Sequence, residues 1–235
     1  MKNEIQRTLQ QISDVLLING GFLDNPGLFS GEMGLVLFFT RYARYTRNDL
    51  YMDYSYNLIE KIQKKVYQHT TINYKHGLTG IGSAIEYLVQ KGYFEADTDE
   101  ILEELDKRIF FTYNIQYLSI NEIIGIGHYV GWRISGKSIQ KDLIRQTILP
   151  QIEKVMHEHS VFPDWHFLHQ KKIPDSFGEK TYNRCLELIT ENNFWGKEIG
   201  IQDGLAGWGM FLLTELDDDD SWLLLFPEDS INIKY

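Results

Sequence analysis

One short phrase built on glycine recurs four times along the chain, and it limits the possible folds more than any other feature. The four copies are Gly27-Leu28-Phe29-Ser30-Gly31-Glu32-Met33-Gly34, Gly77-Leu78-Thr79-Gly80-Ile81-Gly82, Gly125-Ile126-Gly127-His128-Tyr129-Val130-Gly131 and Gly204-Leu205-Ala206-Gly207-Trp208-Gly209. Together they hold twelve of the 19 glycines in 235 residues. Successive phrases stand about 45 to 50 residues apart, and the last gap is close to two such steps, so one degenerate unit is expected between Gly125 and Gly207. A repeat of this length marks stacked supersecondary units, each burying its apolar face on its neighbours.

The phrases lead into apolar stretches at 35–39, 85–89 and 210–213. Between them lie segments with apolar residues three and four apart, such as Leu58, Ile59, Ile62 and Val66, or Leu143, Ile144, Ile148, Ile152 and Val155. That period is helical, so each unit reads as a helical hairpin and the chain as all-α. A β fold would suit the 14% aromatic content, but segments such as 100–110 and 175–191 are too long for strands and keep helical spacing. Glycine near a helix start costs about 0.5 to 1 kcal/mol relative to alanine, so something must offset it repeatedly. Either a tight turn needs positive φ, or neighbouring helices come too close for a Cβ. The second offset implies two kinds of helix: a crowded inner set carrying the glycines, and charged amphipathic outer ones such as 53–67 and 137–157.

A formal net charge of −10 repels nucleic acid and anionic lipid, so neither is expected as a partner. No run reaches the roughly 18 apolar residues of a membrane span, and the amino terminus lacks a signal-peptide core, which implies a cytoplasmic protein. The single cysteine, Cys185, rules out an internal disulfide and any zinc site needing two thiolates of this chain. Its helical spacing with Leu188 and Ile189 reads as a small buried hydrophobe. No linker-like composition divides residues 1–235, which read as one domain. Residues 217–235 form its tail: an acidic run that reads as a solvated turn, then an apolar patch, 222–226, that docks back or meets a partner.

The phrases Gly27-Leu28-x-x-Gly31-x-x-Gly34 and Gly77-Leu78-x-Gly80-x-Gly82 resemble the inner-helix motifs of the lanthionine synthetase C-like family, over about residues 27–216. The resemblance implies an α/α toroid with inner and outer helical rings. That family has seven hairpins in about 400 residues, so a chain of this length supplies about five. The ring is then smaller, open, or closed by a partner protein or a second copy of the chain. Cyclase members bind zinc through two cysteines and a histidine, and zinc holds the attacking sulfur as thiolate. Here Gln202 and Asp203 stand where Cys-His would be, and no Trp-Cys phrase exists. The resemblance therefore implies a zinc-less, cofactor-free, peptide-binding accessory or partner subunit in lanthipeptide-like peptide modification. Three rivals remain: a cyclase with unusual ligands, an α/α-toroid carbohydrate enzyme using paired carboxylates, and a structural remnant whose only partner is another chain completing the ring.

Six residues are candidates for a cavity or peptide-binding site. His76, in a His-Gly-Leu phrase, reads as an acid-base or peptide contact, or as a helix-capping histidine. His128 faces the same interior by motif position, or is a hydrogen-bonded core residue. Glu122 and Asp203 are the paired acids a hydrolase would need, about 5 to 10 Å apart, or favourable charges at helix starts, as is Glu32. Gln202 occupies a ligand position of the family motif, and Trp208, with Trp132 and Trp165, lines a groove or fills core. His166 and His169 have metal-compatible spacing but no third ligand, so no metal site is expected. His157 and His159 flank a helix end as dipole partners.

Overall fold

The computed structural model describes residues 1–112, 114–158, 187, 190, 193–202 and 204–226. Helices dominate these residues, and no strand occurs among them. The expected degenerate unit, together with Trp165, His159, His166, His169, Cys185 and Asp203, lies outside the described residues.

The chain divides into two compact units, residues 1–68 with 173–235, and residues 69–172. The first contains α1 (Lys2–Asn19), α2 (Glu32–Thr46), nearly all of α3 (Asp49–His69), and the glycine-led helix near the end of the chain. The second contains α4 (Leu78–Gln90), α5 (Thr98–Ile101), α6 (Glu103–Lys107), α7 (Ile120–Ser135), α8 (Lys141–Leu143) and α9 (Leu149–Glu158). The late helix of the first unit is α10 (Leu205–Asp217). In the first unit α10 packs against both α1 and α2; in the second α7 packs against both α4 and α9. Single π turns at Arg108–Thr112 and Ile144–Ile148 continue α6 and join α8 to α9.

The two kinds of helix are distinct. Every residue of α2 from Glu32 to Ala43 is buried, and α4, α7 and α10 are nearly as enclosed. By contrast α3 buries Tyr51, Ser55, Leu58, Ile62 and Val66, a single stripe, and α9 buries only Ile152 and Met156. A helix buried all round needs partners on every side, and an amphipathic one needs a single neighbour to cover its stripe.

The acidic run is solvent-facing at Asp217, Asp218 and Asp220, as a solvated turn should be, but it also serves the interior. Fully buried Arg41 of α2 donates to the Asp217 carboxylate, to the Asp219 carbonyl, and to Thr214 Oγ1 at 3.2 Å. The backbone turns over at Asp218, with φ of 56°, which brings Trp222 back onto the helix. Its indole N–H donates to Thr214 Oγ1 at 3.1 Å, and its ring lies edge-on to Phe211 with centroids 5.0 Å apart. Phe226 completes this cluster against Phe29 at 5.1 Å. A buried guanidinium must find anions and carbonyls, and the aspartates supply them.

Candidate functional site

Three of the four glycine phrases build the same helix start. The first helical N–H donates to the carbonyl seven residues earlier: Glu32 to Asn25 at 2.9 Å, Leu78 to Thr71 at 2.8 Å, Leu205 to Glu198 at 2.8 Å. No side chain caps these helices; the loop folds its own backbone over the helix end instead. Gly31, Gly77 and Gly204 occupy the N-cap, with φ of −122°, −131° and −128°, which any residue adopts. Proximity explains the glycine. A Cβ on Gly31 would sit 2.5 Å from the Gly27 carbonyl oxygen, on Gly77 2.6 Å from that of Asn73, and on Gly204 2.5 Å from that of Gly200. Positive φ is not the reason at these N-caps, and the close approach comes from the lead-in loop's own backbone rather than from a neighbouring helix. Among the described residues, the glycines with positive φ are Gly92 and Gly196, outside the phrases.

The third phrase differs. Gly125 and Gly127 lie inside α7, which begins further back at Ile120 with Ser119 as N-cap. Ser119 Oγ accepts from the Glu122 N–H at 3.4 Å, while Glu122 Oε2 accepts from the Ser119 N–H at 2.8 Å and its hydroxyl at 2.7 Å. This is a capping box, and it fixes Glu122 as a helix-start residue.

Inside each unit the later glycines set helix contact. In the second unit, a Cβ on Gly82 of α4 would strike the Tyr129 ring of α7, with Cδ2 at 3.0 Å. A Cβ on Gly125 of α7 would stand 3.0 Å from the Cβ of Tyr74, in the loop leading into α4. The first unit repeats both contacts at equivalent positions. Gly209 of α10 faces the Phe38 ring of α2, with Cδ2 at 2.7 Å, and Gly34 of α2 faces the Ile201 Cβ at 3.0 Å, in the loop leading into α10. The loops before α2 and α10 also join through their backbones. The Phe29 carbonyl accepts from the N–H groups of Ile201 at 2.8 Å and Gln202 at 3.1 Å.

That junction carries two of the six candidates. Gln202 and Trp208 are half-buried there, and the Lys197 ammonium lies 5.8 Å from the Trp208 ring centroid. The other described candidates belong to the second unit and have unlike surroundings. His76 is largely exposed, its backbone N–H donates to Asn73 Oδ1 at 3.2 Å, and partial desolvation with nearby Lys75 lowers its pKa. His128 is enclosed in α7 with its ring 5.3 Å from Tyr74, and burial pushes its pKa down to about 4. It is therefore neutral at pH 7, the state expected of a core histidine. Among the described residues no group of three or more His, Cys, Asp or Glu is placed to hold a metal ion.

Three buried polar clusters escaped the sequence reading. Glu32 is wholly buried, with Lys61 at 2.6 Å and Lys65 at 3.1 Å from its Oε1. Both ammonium groups also donate to the Leu23 carbonyl, which ties α3 to the loop before α2. Arg41 holds the tail as described. Arg133, also fully buried, gathers Glu86 at 2.5 Å, Asp99 at 2.7 Å and Asp106 at 2.7 Å. A charged residue in the middle of an apolar helix is itself the signal, since burial obliges it to find partners. No family model, no curated protein and no solved structure matches the chain.

Proposed function

We propose that the chain forms a ring of helical hairpins like the lanthionine synthetase C-like toroid and acts as a peptide-binding accessory in peptide modification. The supporting observation is the direction of the glycine contacts. Gly125 and Tyr129 of α7 lean on the lead-in loop and Gly82 of α4, the glycine-led helix before it. Gly34 and Phe38 of α2 lean on the matching positions of α10, the last such helix. In a linear stack the first repeat has no predecessor to lean on. The contact of α2 with α10 inside the first unit supports the ring reading, because a ring would need such a pairing.

The peptide role extends this reading to the junction of the two lead-in loops. Half-buried Gln202 and Trp208, with Lys197 5.8 Å from the Trp208 ring centroid, are the groups a bound chain would meet there. With Cys185 as the single thiol, sulfur activation by a zinc site of two thiolates is closed to this chain, which favours binding over cyclisation. Glu122 takes part in a capping box, which favours binding over the carbohydrate-hydrolase alternative.

A fluorescently labelled peptide bearing one cysteine and one dehydroalanine, titrated into the purified chain and followed by anisotropy, tests the reading. Saturable binding is expected, with the peptide thiol still free to react with a thiol reagent. Trp208→Ala should weaken binding about tenfold or more, as loss of an aromatic anchor does. Consumption of the thiol together with stoichiometric bound zinc makes the chain a cyclase instead, and absence of saturable binding removes the peptide role.

A further inference from the structure

We propose that the Arg133 cluster is a proton-operated clasp. With a proton on the Asp106 carboxyl it holds the segment 97–106 and the turn at Ser138 and Ile139 onto α4 and α7, and it slackens when that proton leaves. The proposal does not depend on the ring or on peptide binding.

Four helices meet at this guanidinium. Its Nη1 donates to Glu86 Oε1 of α4 at 2.5 Å and to Thr98 Oγ1 of α5 at 3.2 Å. Its Nη2 donates to Asp99 Oδ1 of α5 and to Asp106 Oδ2 of α6, each at 2.7 Å. Asp99 then reaches across to the turn after α7, accepting from the Ser138 hydroxyl at 2.5 Å and the Ile139 N–H at 2.7 Å. Ile139 is itself 86% exposed, so the clasp fixes a turn that presents an apolar side chain to solvent.

Charge counting singles out one proton. Three carboxylates face one guanidinium, and with all four groups ionised the cluster keeps two uncompensated negative charges in a buried setting. The side chains of Arg133, Glu86, Asp106 and Asp99 are only 0%, 1%, 5% and 12% exposed. Like charges crowded in low dielectric favour protonation of one member. Asp99 is the poorest candidate: burial would raise it, but Ser138, the Ile139 N–H and Arg133 outweigh that and hold its carboxyl below the ordinary value. Asp106 is the best. Burial raises its pKa despite Arg133 and the Tyr129 hydroxyl, which donates to Asp106 Oδ1 at 2.6 Å. A phenol both gives and takes a hydrogen bond, so the Asp106–Tyr129 contact survives protonation with donor and acceptor exchanged. The ionisable groups facing Asp106 are Arg133 and Tyr129 from α7, Asp99 from α5, and Glu86 from α4 behind the guanidinium. On its own helix, Glu103 and Glu104 both pair with Lys107 at the surface.

The sign follows from the direction of each shift. Asp106 binds its proton more tightly in the closed clasp than in an opened one. Its contribution is therefore complete below the ordinary aspartate value near 4 and is lost as pH rises through the raised value. Asp99 works the other way and is lost only as pH falls through its own lowered value. The clasp is tightest near pH 4 and slackens toward neutrality.

Amide hydrogen exchange on the full chain from about pH 4.5 to 8, corrected for intrinsic exchange, reads the clasp directly. Protection of Ile139 and of amides in 98–106 should fall by up to about tenfold per pH unit above about 4, then level off. Amides of α2 should hold constant, and Asp106→Asn, which mimics the protonated carboxyl, should keep the acid level throughout. Should that variant not fold, a carboxyl-carbon NMR titration of the unaltered chain decides. A level or rising protection profile, or an Asp106 that titrates at or below the ordinary value, overturns the proposal.

Discussion

Replacing Gly77 with alanine puts the origin of the glycine phrase to a quantitative test. The new methyl would press on the Thr71 carbonyl oxygen, and would lie 2.6 Å from that of Asn73 and 2.8 Å from the Thr71 carbonyl carbon. All are backbone atoms, so no side-chain rotation relieves the clash. The loop must move away, and doing so stretches the bond from the Leu78 N–H to the Thr71 carbonyl, now 2.8 Å long. Losing that bond costs about 0.5 to 1.5 kcal/mol, and forcing an extra carbon into close-packed structure about 1 to 3. The sum, about 1.5 to 4.5 kcal/mol, corresponds to a fall in Tm of roughly 3 to 18 °C for a chain of this size. Gly21 is the internal control, because a Cβ there meets nothing within 4 Å. Gly21→Ala should leave stability unchanged or raise it by about 0.4 to 1 kcal/mol through the unfolded state. The assay is a thermal melt followed by circular dichroism, with amide exchange in α4 locating the loss. If Gly77→Ala melts within about 2 °C of Gly21→Ala, the loop does not fold over the helix end and the explanation of the repeat fails.

Two further substitutions probe features that the glycines do not explain. Arg41→Met should destabilise by about 2 kcal/mol in urea titrations, less than a fully buried pair would lose because Asp217 is one-third exposed; a change below about 0.5 kcal/mol would show the tail to be held by Trp222 and Phe226 alone. Ser119→Ala should cost about 1 kcal/mol by opening the capping box of α7, measured by the same titration, and no loss would mean that Glu122 is free for another role.

The helices were readable from the chain because their period is local, and so was the contrast between enclosed and one-sided helices. What the sequence could not supply was geometry made by residues distant in the chain. Gly125-Ile126-Gly127 resembles another helix start, although Ser119-Ile120-Asn121-Glu122 just before it spells a capping box, a local signal for the true start. His76 and His128 sit in similar phrases, yet one is exposed and the other enclosed beside Tyr74, because burial is set by the neighbouring helix. The Arg133 cluster joins acids at positions 86, 99 and 106, which no spacing rule connects. The π turn at Arg108–Thr112 has no marker in composition at all.

The buried arginines answer a difficulty that the repeat creates. Four helices carrying the same small-residue face offer many apolar pairings of similar energy, since any aromatic four residues past a glycine could settle on any glycine groove. Glycine contacts alone would permit wrong neighbours. Charged groups in the interior discriminate because a wrong partner leaves a desolvated guanidinium without an anion, a penalty far larger than a poor apolar fit. Arg41 is matched by Thr214, Asp217 and the Asp219 carbonyl, which belong to α10 and the turn after it. Arg133 is matched by Glu86 of α4. Each arginine thus lies on the helix that leans, and its partners include groups on the helix leaned upon, or just beyond its end. The Arg41→Met chain tests pairing as well as stability: if the arginine specifies the neighbour, the variant should unfold over a broader range, with weaker protection of α2 and α10 amides than its lost stability accounts for. A transition shifted but equally sharp would assign the choice of neighbour to Phe38 on Gly209 instead.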